Sequence, residues 1–177
     1  MFSLGLLAII ITSSVMMSVV AAQTPPVTEE QIARIKINCV SAKNIVNRVH
    51  LSDALLRVNR GQMYESMSTK LMERFNARAS GNRYVVTDLL STTQSYDAAL
   101  KTFHQHYISY EEQMSAALRI DCTKEPVSFY DAVAAARTLR SVVHSDVIKL
   151  HQLIDDYKKS FDVFQVDFRA IKEGNSL

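Results

Sequence analysis

Glycine and proline are close to missing from this sequence: 177 residues hold 4 Gly and 3 Pro, and two of the prolines, Pro25 and Pro26, are adjacent. A chain so poor in turn formers makes few turns and long elements, which excludes a β-sandwich or barrel and favours helices. Tryptophan is absent. A strong charge of either sign is absent too. The net charge is +2 with both signs interspersed, without the basic stripe that marks a nucleic-acid-binding surface, so no nucleic-acid partner is expected. Strand alternation, sequence repeats, Gly-rich phosphate loops, nucleophile elbows, HExxH and Glu-x-x-His motifs are all missing. No catalytic residue, cofactor or metal site is expected, and the chain does not read as an enzyme.

What is present begins with an uncharged apolar run. Phe2 to Val20 carries no charge, and Val20-Ala21-Ala22 sets small residues ahead of Gln23. That is the pattern of a cleaved secretory signal. An uncleaved anchor is the competing reading, because an apolar run of about 18 residues just spans a bilayer and no Lys or Arg precedes Arg34. Both readings place the rest outside the cytoplasm, secreted, periplasmic or surface-anchored. Residues 1–22 are therefore expected to be signal peptide or membrane anchor, the one route to a membrane, and 23–27 a stiff Pro-Pro spacer.

Three helical segments follow. Thr28 with Gln31 forms a capping box, after which small or apolar residues recur at Ile32, Ile35, Cys39, Ala42, Val46 and Val49 with alternating spacing of three and four. The same register then meets Asp53, Leu56, Arg60, Met63 and Met67, while Leu51, Leu55 and Val58 suggest a drifting stripe. Gly61 weakens the middle, and Gly81 in Ser80-Gly81-Asn82 suits a left-handed cap. The second stripe runs Val86, Leu89, Thr93, Tyr96, Leu100, Phe103, Tyr107, Tyr110, Met114 and Ala117 without a break, a coiled-coil-like seam. The third, with Ser128 as expected cap, runs from Val133 and Ala136 through Arg140 to Phe161, Phe164 and Phe168. The fold predicted is all-α: an elongated antiparallel three-helix bundle over residues 28–172, with helices at 28–79, 87–121 and 128–171 and a loose tail at 173–177.

Short turns between long helices fix which residues share a level. A first turn centred near residue 80 sets Cys39 level with Cys122, so an oxidising compartment should join them; closing so long a loop contributes on the order of 4 kcal/mol in the chain-entropy model. A second turn near residue 125 brings Asp53, Tyr110 and Arg140 together. An unpaired cation in the seam would be costly, so Asp53 and Arg140 should pair, with Arg57 and Arg60 as alternative partners. This polar layer is either a register-fixing pair or a ligand site inside the bundle. If the pair is only structural, Asp53→Leu should harm the fold much more than Arg140→Leu, because it strands a buried cation.

Among the five histidines, His106 and His144 fall at one level, but His104 and His106 point to different sides of a helix, so no metal set assembles. The adjacent acids Asp155-Asp156 and Glu111-Glu112 diverge around a helix and form no dyad. Phe161, Phe164 and Phe168 either finish the core stripe or project beyond the second helix as an apolar patch facing a partner.

Three segments, LSDALLRVNRGQMYESMSTKL, ALRIDCTKEPVSFYDAVAAAR and VIKLHQLIDDYK, resemble small exported helical proteins of candidate-phyla bacteria with reduced genomes. The resemblance covers most of the chain after the N-terminal segment and implies an exported helical protein, with no catalytic or binding residue to carry over. The expectation is a non-enzymatic envelope or surface interaction module, meeting another envelope protein or itself. The alternative is a small-ligand or metal-binding bundle using the polar layer.

Overall fold

The computed structural model describes residues 27–174, all helix and turn among those residues. The expected signal or anchor at 1–22, and the spacer apart from Val27, lie outside them. The first rod is not one helix. It comprises α1 (Glu29–Ile37), α2 (Cys39–Ser66), a π-helical segment (Met67–Met72) and α3 (Glu73–Gly81). The Thr28 capping box starts it, with both reciprocal bonds made. Asn38 interrupts it, its side-chain amide donating to the Arg34 carbonyl at 2.9 Å. Gly61, where sequence places the weak point, lies within regular α2. The irregular turn comes later, between Tyr64 and Met72, where tyrosines from other helices reach the backbone. The Tyr96 hydroxyl donates to the Tyr64 carbonyl at 3.0 Å, and the Tyr157 hydroxyl lies 3.5 Å from the Met72 carbonyl.

The positive φ of the first turn falls on Arg83 (φ 65°), not on Gly81. The helix runs through Gly81. Arg83 N–H then bonds to the Ser80 carbonyl at 2.8 Å and Tyr84 N–H to the Ala79 carbonyl at 3.1 Å. These are the two bonds of a Schellman ending, with an arginine where glycine is usual. Helix α4 (Thr87–Arg119) follows. Its buried residues Leu89, Thr93, Tyr96, Phe103, Tyr107, Tyr110, Met114 and Ala117 match the seam read from sequence. In the second joint Asp121 accepts from the Thr123 amide and hydroxyl at 3.0 and 2.6 Å. Helix α5 (Pro126–Gly174) begins two residues before the expected Ser128 cap. Proline at a first helical position has no amide to leave unsatisfied and a φ already suited to the turn. At 49 residues, α5 is about 73 Å long and continues through residues 173–174, where a loose tail was expected.

Helix α4 packs against α5 along most of its length, while the first rod touches the pair at intervals. Contact levels descend antiparallel from the first rod to α4 (Cys39 with Cys122, Asp53 with Tyr110, Asn76 with Thr93). They ascend in parallel to α5 (Asp53 with Arg140, Tyr64 with His151, Asn76 with Tyr157). The core lies in three successive clusters: Cys39, Cys122 and Phe129 at one end; Tyr107, Tyr110, Met114 and Ala136 in the middle; and a larger group around Tyr64, Met72, Tyr96 and Leu150.

Beyond residue 60 the first rod departs from its predicted stripe. Gly61, Tyr64, Ser68, Met72, Asn76 and Ala79 are buried, whereas Met63 is exposed, as is Leu56 before it. The reason is a second polar layer that α2 and α3 must reach. Asn76, 1 % exposed, donates to Thr93 Oγ1 at 2.9 Å and accepts from the Tyr157 hydroxyl at 2.9 Å. Burial pushes the Tyr157 hydroxyl up to about 12, so it stays a proton donor to Asn76.

Candidate functional site

Cys39 and Cys122 form a disulfide with Cα atoms 5.5 Å apart. It clamps the start of α2 to the second joint, and Lys43 Nζ adds a 3.0 Å bond to the Ile120 carbonyl beside it. Four turns of α2 further on, Asp53, Tyr110 and Arg140 come together as their levels predict. The Tyr110 hydroxyl donates to Asp53 Oδ2 at 2.8 Å, and Arg140 grips the carboxylate with Nε at 2.6 Å and Nη2 at 3.1 Å. Arg140, rather than Arg57 or Arg60, is the partner. The pair is not sealed in the seam, however. The Asp53 side chain is 13 % exposed and that of Arg140 57 %. Arginine buries its stem and keeps its head in water, as long basic side chains do. Burial works against the Asp53 charge, but the bonds from Arg140 and Tyr110 outweigh it and hold the carboxyl below its ordinary value. Burial, with the Asp53 bond, holds the Tyr110 hydroxyl protonated far above its usual range.

This pair forms one wall of a cleft of about 450 Å³ that opens between α2 and α5 and is floored by α4, a volume within the usual span of small-molecule sites. Tyr64, Phe103, Tyr107 and Tyr110 make the floor. Arg57, Arg60, Arg137 and Arg140 ring it together with His144, against one acid, Asp53. Arg57 lies over the Tyr107 ring, 4.9 Å from its centroid, the cation–π arrangement that fixes a guanidinium in place. The Tyr107 hydroxyl donates to Glu111 Oε1 at 2.6 Å, and His50 Nε2 shares a 2.7 Å bond with Glu111 Oε2. Burial, then Glu111, keeps Tyr107 protonated well into alkaline pH. Arg60 and Arg137 have no carboxylate within ion-pair reach among the described residues.

Sequence reasoning named Asp53, Tyr110 and Arg140 as the layer, gave Arg57 and Arg60 only as alternative partners of the pair, and did not place Arg137. The signal was there. Asp53, Arg57, Arg60 and Tyr64 follow one another at three- and four-residue spacing on α2, as do Arg137, Arg140 and His144 on α5, which places each set on one helix face.

Of the two readings of the C-terminal phenylalanines, the structure has them finishing the core stripe, with Phe161 and Phe164 packed against the core. Phe75 on α3 meets the rings of Phe161 and Phe164 at 5.0 and 5.2 Å, and Tyr84 meets Phe164 and Phe168 at 5.9 and 5.2 Å. The Schellman ending at Arg83 delivers Tyr84 to this spot. The histidines lie in separate pairs. His106 bonds to Asp146 rather than facing His144, His104 lies 3.5 Å from Glu65, and His151 shares a 3.0 Å bond with the Tyr64 hydroxyl. Among the described residues no three His, Cys, Asp or Glu side chains converge on one point, and no helix is long and apolar enough to cross a membrane. No family model, curated protein or solved structure matches the chain.

Proposed function

We propose that the chain is a non-enzymatic binding module working outside the cytoplasm, in the envelope or at the cell surface, and that it holds a small anionic ligand in the arginine cleft. The observation that carries this reading is the orientation of α2. Its segment from Leu51 to Arg60 turns Asp53, Arg57 and Arg60 toward the cleft and leaves Leu51, Leu55 and Val58 at 61 %, 64 % and 52 % exposure. A helix serving stability alone would bury the leucines. Violations of local rules of this kind concentrate where a site is built. The carboxylates beside the cleft are already engaged, Asp53 by Arg140 and Tyr110 and Glu111 by His50 and Tyr107. With both carboxylates occupied and four guanidiniums lining the cleft, the groups it offers favour anion binding. The internal disulfide supports an oxidising compartment.

The test is a thermal-shift panel of small anions, including phosphate, citrate and benzoate, on the oxidised protein. A ligand at a hundred times its Kd should stabilise by about 2.7 kcal/mol, and Arg57→Gln with Arg60→Gln should remove that gain. If no anion raises the midpoint, the reading fails. A second reading, recognition of an envelope protein or of a second copy, rests on the exposed Leu51, Leu55 and Val58 face. It would appear as concentration-dependent sedimentation that Leu55→Lys abolishes.

A further inference from the structure

A second groove lies where the first rod is widened. The sequence from Met67 to Arg78 places an apolar residue at 67, 71 and 75 (Met, Leu, Phe) and a cation at 70, 74 and 78 (Lys, Arg, Arg). On a regular α-helix a four-residue repeat swings about 40° per step, so neither row would stay on one side. The π segment Met67–Met72 has more residues per turn and swings back the other way. Both rows consequently line a single groove of about 640 Å³, closed on its far side by Ile154, Tyr157, Lys158 and Phe161 of α5. Phe75 and Phe161, in edge contact at 5.0 Å, form its apolar floor. Leu71 is 50 % exposed within it. Lys158 is paired with Asp162 at 2.8 Å, whereas Lys70, Arg74 and Arg78 make no ion pair among the described residues.

We infer that this groove binds a single-chain anionic amphiphile, a fatty acid taken as a monomer, with its chain along Met67, Leu71 and Phe75 and its head at one end of the parallel cation row Lys70, Arg74 and Arg78. The apolar row and the cation row are adjacent, so one slender ligand satisfies both. The unpaired cations select an anionic head. This site is separate from the arginine cleft and shares no residue with it.

The experiment titrates the oxidised full chain with dodecanoate below its micellar concentration, by calorimetry, with dodecyltrimethylammonium as the control of equal chain length and opposite charge. Dodecanoate should saturate at one per chain and bind on the order of tenfold or more tighter than the cationic control. The triple change Lys70→Gln, Arg74→Gln, Arg78→Gln should remove that preference while the helical circular dichroism stays unchanged; Leu71→Asn should weaken dodecanoate without altering the charge preference. Arg57→Gln with Arg60→Gln should leave dodecanoate binding intact. Equal affinity for the two amphiphiles, absence of saturation, or sensitivity to Arg57 and Arg60 instead would overturn the inference. So would binding to phosphatidylglycerol vesicles without binding of monomeric dodecanoate, which would make the cation row a membrane-surface contact.

Discussion

Single residues carry the polar features of this fold, and Asp53 is the most informative. A buried Arg140 would have made Asp53→Leu the costlier change. With Asp53 13 % and Arg140 57 % exposed, the asymmetry reverses. Arg140→Leu leaves a mostly buried carboxylate with only Tyr110 to satisfy it and should cost about 1–2 kcal/mol. Asp53→Asn frees an arginine that already reaches water and should cost under about 1 kcal/mol. Urea midpoints of the two variants check this ordering. The same pair gives a pH signature. Because the folded carboxyl sits below its ordinary value, its stabilisation is fully present above about pH 4 and fades as pH falls through the folded value. The wild type should lose more stability than Asp53→Asn between neutral pH and about pH 3, and parallel losses would remove Asp53 from the account. The residues of this layer were legible in advance, because helix spacing fixes levels. The exposure of Arg140 was not, since spacing says nothing of how far apart two helices stand.

At the scale of elements, the first rod holds the departures. Arg83 occupies a left-handed position at φ 65°, which costs an L-residue about 1–2 kcal/mol. Arg83→Gly should therefore raise stability by about 0.5–1 kcal/mol after the entropic cost of glycine. Gly61 offers the converse. It is buried inside α2 near its C-terminal end, and a Cβ there would meet nothing within 4 Å, so Gly61→Ala should also gain about 0.5–1 kcal/mol. Thermal melts of the two single variants and the double test both gains, which should add because the sites are far apart in the rod. Helix α4 was readable in full, since its seam is apolar on one side and buried on that same side. The second half of the first rod was not. Its buried face carries Gly61, Ser68 and Asn76, and a hydrophobicity pattern cannot find a face made of small and polar groups. Asn76 is accounted for only once Thr93 and Tyr157 are seen to meet it.

For the whole molecule, the disulfide and the open side set the mechanics. The bridge spans 83 residues, so in the chain-entropy model it is worth about 4.5 kcal/mol. Reduction should lower the thermal midpoint by roughly 10 °C for a domain of this size, and Cys39→Ser with Cys122→Ser should reproduce the reduced protein. A midpoint indifferent to reductant would mean the bridge does not constrain the unfolded chain. Since the first rod is stapled at one end and leans on the α4–α5 pair elsewhere, reduction should loosen the arginine cleft before it disrupts α4 and α5. Hydrogen exchange in α2 rising ahead of exchange in α4 would display that order.

The amino-acid sequence by itself determined the helical class, the seam of α4, the levels of the two cysteines and the meeting of Asp53, Tyr110 and Arg140. All of these follow from chain periodicity and the positions of two turns. Only the tertiary structure decided the wider turn at Met67–Met72, the rotation that sets Arg57 and Arg60 at the rim of the cleft, and the gap between α2 and α5. Those depend on the hydroxyls of Tyr96 and Tyr157, which donate to the first rod, and on Thr93, which accepts from Asn76, groups distant in sequence whose reach the period of a single helix does not encode.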